Sequence, residues 1–274
     1  MIHKVLVAVD FSKGSAAALR YAEALAVSVG IREVQVIHIF TPQTVAAGDA
    51  MTGVPVGELM DAREDALAEF LKTQPVPAGI RRRSELMLGF PADKIVEESG
   101  QHDLVVLGAT GEADVIESVF GTIATEVAQK AQCPVLLVPN GAVFQEYRHI
   151  LYASSSLSLS RKAVLQLMDF NDLFRARIHF VHVNGDDADS RREREKLFAP
   201  LFNNPDPEFA FEIVEVTAHT VRKGLVTYLQ DNPVDLAVMV TEPRGFWEGL
   251  FHTSTTKEMV LHPKVPVLVF HLGK

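Results

Sequence analysis

Two hydrophobic periods alternate along the first half of the chain. Short apolar runs at 4–9, 34–40, 104–107 and 135–138 are rich in Val, Ile and Leu and lack polar alternation, so they predict strands covered on both faces. Between them, apolar residues recur at helical spacing. Ser12 can cap a helix carrying Leu19, Ala22, Ala26 and Val29 that stops at Gly30. Residues 58–73 predict a second helix with Met60, Leu67 and Leu71 on one side, followed by a strand at 83–88. A short helix at 91–99 and another at 122–131 complete the alternation. Strand and helix in strict turn, with buried strands, predict a doubly wound α/β unit with a five-stranded parallel sheet.

The pattern is written twice. Asp103-Leu-Val-Val-Leu-Gly108 returns as Asp235-Leu-Ala-Val-Met-Val240, and Pro134-Val-Leu-Leu-Val138 returns as Pro266-Val-Leu-Val-Phe270. Nearer the start, Val5-Leu-Val-Ala-Val9 matches Ile150-Leu-Tyr-Ala-Ser154, and the run ending at His38 matches the run ending at His182. The second copy is shorter by about a dozen residues after its second strand, where the first copy holds the Gly-, Pro- and Thr-rich stretch 41–57. That stretch reads as a long surface loop. Two tandem domains follow, 1–140 and 148–274, joined by 140–147.

Composition narrows the chemistry. The chain has 274 residues, 47% of them hydrophobic, which suits two cores of ordinary size. A formal charge of −9 argues against nucleic acid as a partner. The basic cluster Arg81-Arg82-Arg83 is short and reads as a solvated strand end. No window approaches the ~18 apolar residues of a membrane span. The N-terminus reads as a first strand and lacks a signal-peptide pattern, and one cysteine, Cys133, suits a reducing cytoplasm. Cys133 precedes an apolar run and reads as a buried small hydrophobe.

The most specific local signal is Gly108-x-x-Gly111, nine residues, then Gly121-Thr122. It follows a buried strand and opens a helix. Glycines admit a ligand close to the backbone, and the N–H groups of Thr122 and Ile123 sit at the positive end of the helix dipole, so the arrangement suits phosphate. It matches neither the phosphate loop with Lys-Ser/Thr nor the dinucleotide Gly-x-Gly-x-x-Gly. In a doubly wound sheet, ligands lie beyond the carboxyl ends of the strands, where Asp10, Phe40 and this loop converge. Asp10 suits two roles: it can accept from a base or ribose or help hold a cation, or it can cap the helix beside Ser12.

With these residues in view, the chain resembles the universal stress protein family, in its tandem two-domain form. The resemblance rests on Val5-Leu-Val-Ala-Val-Asp10-Phe-Ser12, His38-Ile39, the glycine spacing and Cys133-Pro134-Val135, and extends over the whole chain. It implies the Rossmann-like, adenine nucleotide alpha hydrolase-like fold with strand order 3-2-1-4-5 in each domain, and ATP, often with Mg²⁺ or Mn²⁺, as ligand. Ala8, Val9 and Asp10 would line the adenosine side, and Ile39 would meet adenine through its backbone. Leu107, Gly108, Gly111, Gly121, Thr122 and Ile123 would surround ribose and phosphates. Pairing of the last strands of the two domains, giving a pseudo-twofold, and a homodimer are further implications.

The second copy departs from this pattern. Ser155 stands in the place of Asp10, Val240-Thr241-Glu242-Pro243 covers the place of Gly108 to Gly111, and His252 that of Gly121. A carboxylate and an imidazole there oppose a triphosphate, so the C-terminal domain is expected to hold a degenerate site. Phe246, Trp247, Leu250 and Phe251 read as fillers of the vacated pocket. His38 and His182 read as structural strand-end residues. His252, His262 and His271 give a weak metal signal, so a metal site stays unassigned. The Ser154 to Ser156 run lacks the elbow of a serine nucleophile, and no catalytic residue is assigned. The leading expectation is a nucleotide-dependent stress regulator. A slow ATPase or adenylyl-transfer enzyme, and an interaction module with an empty site, are the alternatives.

Overall fold

A computed structural model of the chain describes residues 2–41, 55–109, 121–154, 161–184, 210–241 and 265–271. The chain divides into two compact units, Ile2–Phe144 and Gln145–Lys274.

The first unit runs β1 (Val5–Ala8), α1 (Lys13–Ser28), β2 (Glu33–Phe40), α2 (Val56–Lys72), β3 (Arg81–Leu88), α3 (Pro91–Ser99), β4 (Leu104–Gly108), α4 (Thr122–Lys130) and β5 (Val135–Val138). Its sheet has the order β3-β2-β1-β4-β5, with every pairing parallel. Strands β1, β4 and β5 carry the expected burial: Val5, Leu6 and Val7, Leu104 to Leu107 and Val135 to Val138 are all buried. Each such side chain contributes about 1.5–3 kcal/mol on leaving water. Helix α1 starts where expected, because Ser12 Oγ accepts from Ser15 N–H at 3.0 Å. Its Ala16, Ala17, Ala18, Leu19, Ala22 and Ala26 are buried, and the small side chains let the helix lie close to the sheet.

The outer part of this unit differs from the sequence reading. Strand β3 begins at Arg81 and not at residue 83, and most of its residues are exposed, so it is not covered on both faces. Helix α2 begins at Val56, two residues early, and buries Leu67 while Met60 is 38% exposed. The reading of Arg81-Arg82-Arg83 as solvated fails at its centre. Arg82 pairs with fully buried Glu23 of α1 through Nε and Nη2, the latter at 2.8 Å from Oε2. Its remaining N–H groups donate to the carbonyls of Leu71, Gln74 and Pro75. A charge taken out of water requires such saturation.

The second unit runs β6 (His149–Ser154), α5 (Arg161–Asn171), β7 (Arg177–Asn184), β8 (Phe211–Thr217), α6 (Val221–Asp231), β9 (Leu236–Thr241) and β10 (Val267–His271). Its order is β8-β7-β6-β9-β10, again parallel throughout, so the first unit's topology is repeated. One detail of the repeat is polar. Asp103 Oδ2 accepts from the N–H groups of His3 and Lys4 at 2.8 and 2.9 Å, and Asp235 Oδ2 accepts from those of Arg148 and His149 at the same distances. Each carboxylate fixes the start of the unit's first strand against the start of its fourth. Burial raises the Asp103 pKa, but the two N–H donors outweigh it and hold the carboxyl below its ordinary value.

Candidate functional site

The carboxyl ends of β1, β2 and β4 lie side by side, because β1 pairs with both neighbours: Val7 stands opposite Val36 on one side and Val106 on the other. Ala8 closes β1 and Val9 follows, buried, with its N–H on the Ile37 carbonyl at 2.9 Å. Leu107 and Gly108 close β4, and Ile39 is the penultimate residue of β2. Beyond Val9 the chain turns sharply, with Phe11 in the left-handed region at φ 66°. The Phe11 ring stacks on His38 at 4.1 Å and lies 5.4 Å from Phe70.

Asp10 stands exposed at this turn. Oδ1 accepts from Ser12 N–H at 3.1 Å, while Ser12 itself caps α1. Asp10 therefore supports the start of the helix from two residues further out. Its Oδ2 takes no hydrogen bond among the described residues.

Strand β2 ends with an irregularity. Val9 N–H reaches the Ile37 carbonyl and Gly89 N–H reaches the Phe40 carbonyl, so odd-numbered residues of β2 face β1 and even-numbered ones face β3. A continued ladder would send Ile39 N–H to the Val9 carbonyl. That carbonyl instead takes the Nδ1–H of His38 at 2.8 Å. Among the described residues, neither the N–H nor the C=O of Ile39 has a main-chain partner. Because a carbonyl can only accept, His38 carries its proton on Nδ1. Burial, and secondarily Arg63, lower its pKa against the opposing pull of the Val9 bond and Asp10. The ring is neutral at pH 7, and its buried Nε2 has no partner among the described residues.

At β4 the structure gives Gly108 a packing role. A Cβ there would lie 2.8 Å from the Gly14 carbonyl carbon and 3.1 Å from Ser15 N, so the first turn of α1 occupies the space. Gly121 N–H donates to the Ala109 carbonyl at 2.8 Å, which seats the start of α4 on the end of β4. Gly121 is the N-cap of α4, without a side-chain hydrogen bond and without an acidic residue in the first turn. Among the described residues, the opening N–H groups of the helix, at Thr122 and Ile123, have no acceptor. Both side chains are exposed. Gly111 lies outside the described residues.

In the second unit, Val240 at the place of Gly108 is buried. Ser155, Glu242, Pro243 and His252 lie outside the described residues, as do His262, Phe246, Trp247, Leu250, Phe251, Gly245 and Gly249. Among the described residues, no group of three His, Cys, Asp or Glu side chains could hold a metal ion. A polar cluster that the sequence reading missed occupies the opposite, amino ends of the strands. His149 Nδ1 lies 3.0 Å from His179 Nε2, and His179 Nδ1 lies 2.7 Å from Tyr228 Oη and 2.6 Å from Glu212 Oε1. Its members are far apart in sequence, and only the position of His149 and His179 on adjacent runs hinted at it.

Comparison with known proteins gives a consistent picture. The model of the Universal stress protein family matches residues 1–139 and 146–271. Universal stress protein MJ0531 of Methanocaldococcus jannaschii is 32% identical over 85 residues, which are 30% of this chain and 50% of that protein. Universal stress protein YxiE of Bacillus subtilis is 29% identical over 149 residues, 50% of this chain and 99% of that one. The matches thus span half of MJ0531 and nearly all of YxiE. The crystal structure of a universal stress protein from Archaeoglobus fulgidus superposes with a TM-score of 0.69 at 17% identity, covering 98% of each chain.

Proposed function

The chain belongs to the universal stress protein family, and from that premise we propose that its first unit binds ATP across the carboxyl ends of β1, β2 and β4 as a nucleotide-dependent stress regulator. The observation that carries this reading is the start of α4, docked on β4 through Gly121 and Ala109 and without a capping side chain among the described residues. Backbone N–H groups at a helix start favour phosphate oxygens. The rest of the site suits the remainder of the nucleotide. Ile39 offers one donor and one acceptor for the edge of adenine, and Val9 and Ala8 line the adenosine side. Asp10 Oδ2 is available to ribose or to Mg²⁺ or Mn²⁺ on the phosphates. Leu107, Gly108, Gly111, Thr122 and Ile123 would complete the ribose and phosphate side.

The substitutions at Ser155, Glu242, Pro243 and His252 support a division of labour in which domain 148–274 does not hold ATP and domain 1–140 does. Any hydrolysis is slow in this reading. The net charge of −9 and single cysteine favour a cytoplasmic protein without nucleic-acid partners, and a homodimer is its proposed assembly.

Native mass spectrometry and calorimetry with ATP test the proposal. One nucleotide per chain is expected, with affinity lowered at least tenfold in Asp10→Asn and abolished in Gly111→Val. No shift on adding ATP would refute it. Two nucleotides per chain would refute the asymmetry.

A further inference from the structure

Resting on the ATP reading, we infer that His38 is the positioning residue that sets the preference for adenine, by taking the carbonyl of Val9 away from the amide of Ile39. The competition is between two donors for one acceptor. The ladder of β2 brings Ile39 N–H to the side of β1, where Val9 O is the next acceptor in register. His38 Nδ1–H holds that oxygen at 2.8 Å. The imidazole keeps its place because Phe11 stacks on it at 4.1 Å and because His38 as a residue is only 6% exposed, leaving little room to rotate. Ile39 N–H therefore has no partner among the described residues, beside Ile39 C=O, on a strand end held by the Gly89 N–H bond to Phe40 O and the Thr41 hydroxyl bond to Gly89 O.

A donor and an acceptor from one residue select a base edge. Adenine presents a ring-nitrogen acceptor next to an exocyclic amine donor, which complements Ile39. Guanine presents a ring N–H donor next to a carbonyl acceptor, the reverse order, and meets like against like. A site with unmatched buried polar groups rejects the wrong base. Without the His38 donor, Val9 O is free to take Ile39 N–H, and half of the code is lost. The phosphate side, at α4, is untouched.

The test uses the full chain and three probes, ATP, GTP and inorganic tripolyphosphate. In His38→Leu, ATP affinity is expected to fall roughly tenfold, as for one lost hydrogen bond, with the ATP-over-GTP ratio narrowing and tripolyphosphate binding unchanged. His38→Asn, whose Nδ2 can replace imidazole Nδ1, is expected to stay within about threefold of wild type on the same scale. Amide exchange in the absence of nucleotide gives a second readout. Ile39 N–H should be fast-exchanging in wild type and protected in His38→Leu. A folded His38→Leu protein with wild-type ATP affinity and an unprotected Ile39 amide overturns the inference. If wild type binds no ATP, yet Ile39 becomes protected in His38→Leu, the ATP reading fails while the role of His38 in freeing the amide stands. An asparagine variant as weak as leucine for ATP would also count against it.

Discussion

His149 and His179 meet nitrogen to nitrogen at 3.0 Å, with ring centroids 5.2 Å apart. That centroid spacing is nearly the sum of the contact and the two ring radii, so the imidazoles point at one another and one proton lies between them. Tyr228 and Glu212 occupy the far nitrogen of His179. Burial lowers the His179 pKa, Glu212 opposes this, and His149 and Arg177 add to it. A base with a lowered folded pKa takes up its proton more readily when unfolded. Its contribution to stability is complete above the unfolded pKa, about 6.5, and declines as pH falls from there to the folded value. Buried His38 acts in the same direction. Urea midpoints should drop between pH 8 and pH 5, and the slope should be shallower in His179→Gln. A pH-independent midpoint would contradict the neutral assignment.

Glu23 and Arg82 form a pair that tolerates no single loss. Both side chains are nearly inaccessible, at 0% and 9% exposure. Glu23→Gln or Arg82→Met should each cost about 3–5 kcal/mol, since an unpaired charge or an unmet guanidinium stays inside. The double variant Glu23→Leu with Arg82→Met should recover most of that loss. Chemical denaturation of the three proteins supplies the check.

Gly108→Ala should destabilise the ligand-free protein by roughly 1–3 kcal/mol, because the new methyl meets the backbone of Gly14. Thermal melts without nucleotide decide it. An unaltered melting temperature would mean that α1 can withdraw at no cost.

Cys133 should resist alkylation in the native state. Burial, and then the nearby Asp103 charge, push its thiol up to about 12, so the reactive thiolate is nearly absent at pH 8. Iodoacetamide labelling followed by mass spectrometry is expected to be slow in buffer and fast in denaturant.

How much of the molecule is legible in the chain depends on the range of the interaction. Apolar runs locate β1, β4 and β5, because those strands are buried by their own composition. The tandem repeat points to two copies of one topology. Strand β3 starts earlier than its apolar residues suggest, and what buries Arg82 is a glutamate in α1 that no local period reveals. The clamp of Asp103 on His3 and Lys4 joins residues 100 and 99 positions apart, though the return of an aspartate at 235 is a visible sign of it. At the candidate site the strand ends and glycine loop are legible as positions. The capture of Val9 by His38 is not, since the acceptor that a strand-end histidine finds depends on ladder register.

The contact between Gly108 and Gly14 bears on how such proteins are compared. A glycine that makes room for a neighbouring segment is required wherever that segment lies as close, whatever the site holds. Its replacement in a relative, as by Val240 in the second copy, speaks first of how closely a helix may approach its strand. Surveys that infer ligand loss from missing motif glycines should therefore score Gly108 with α1, and judge nucleotide binding from the start of α4.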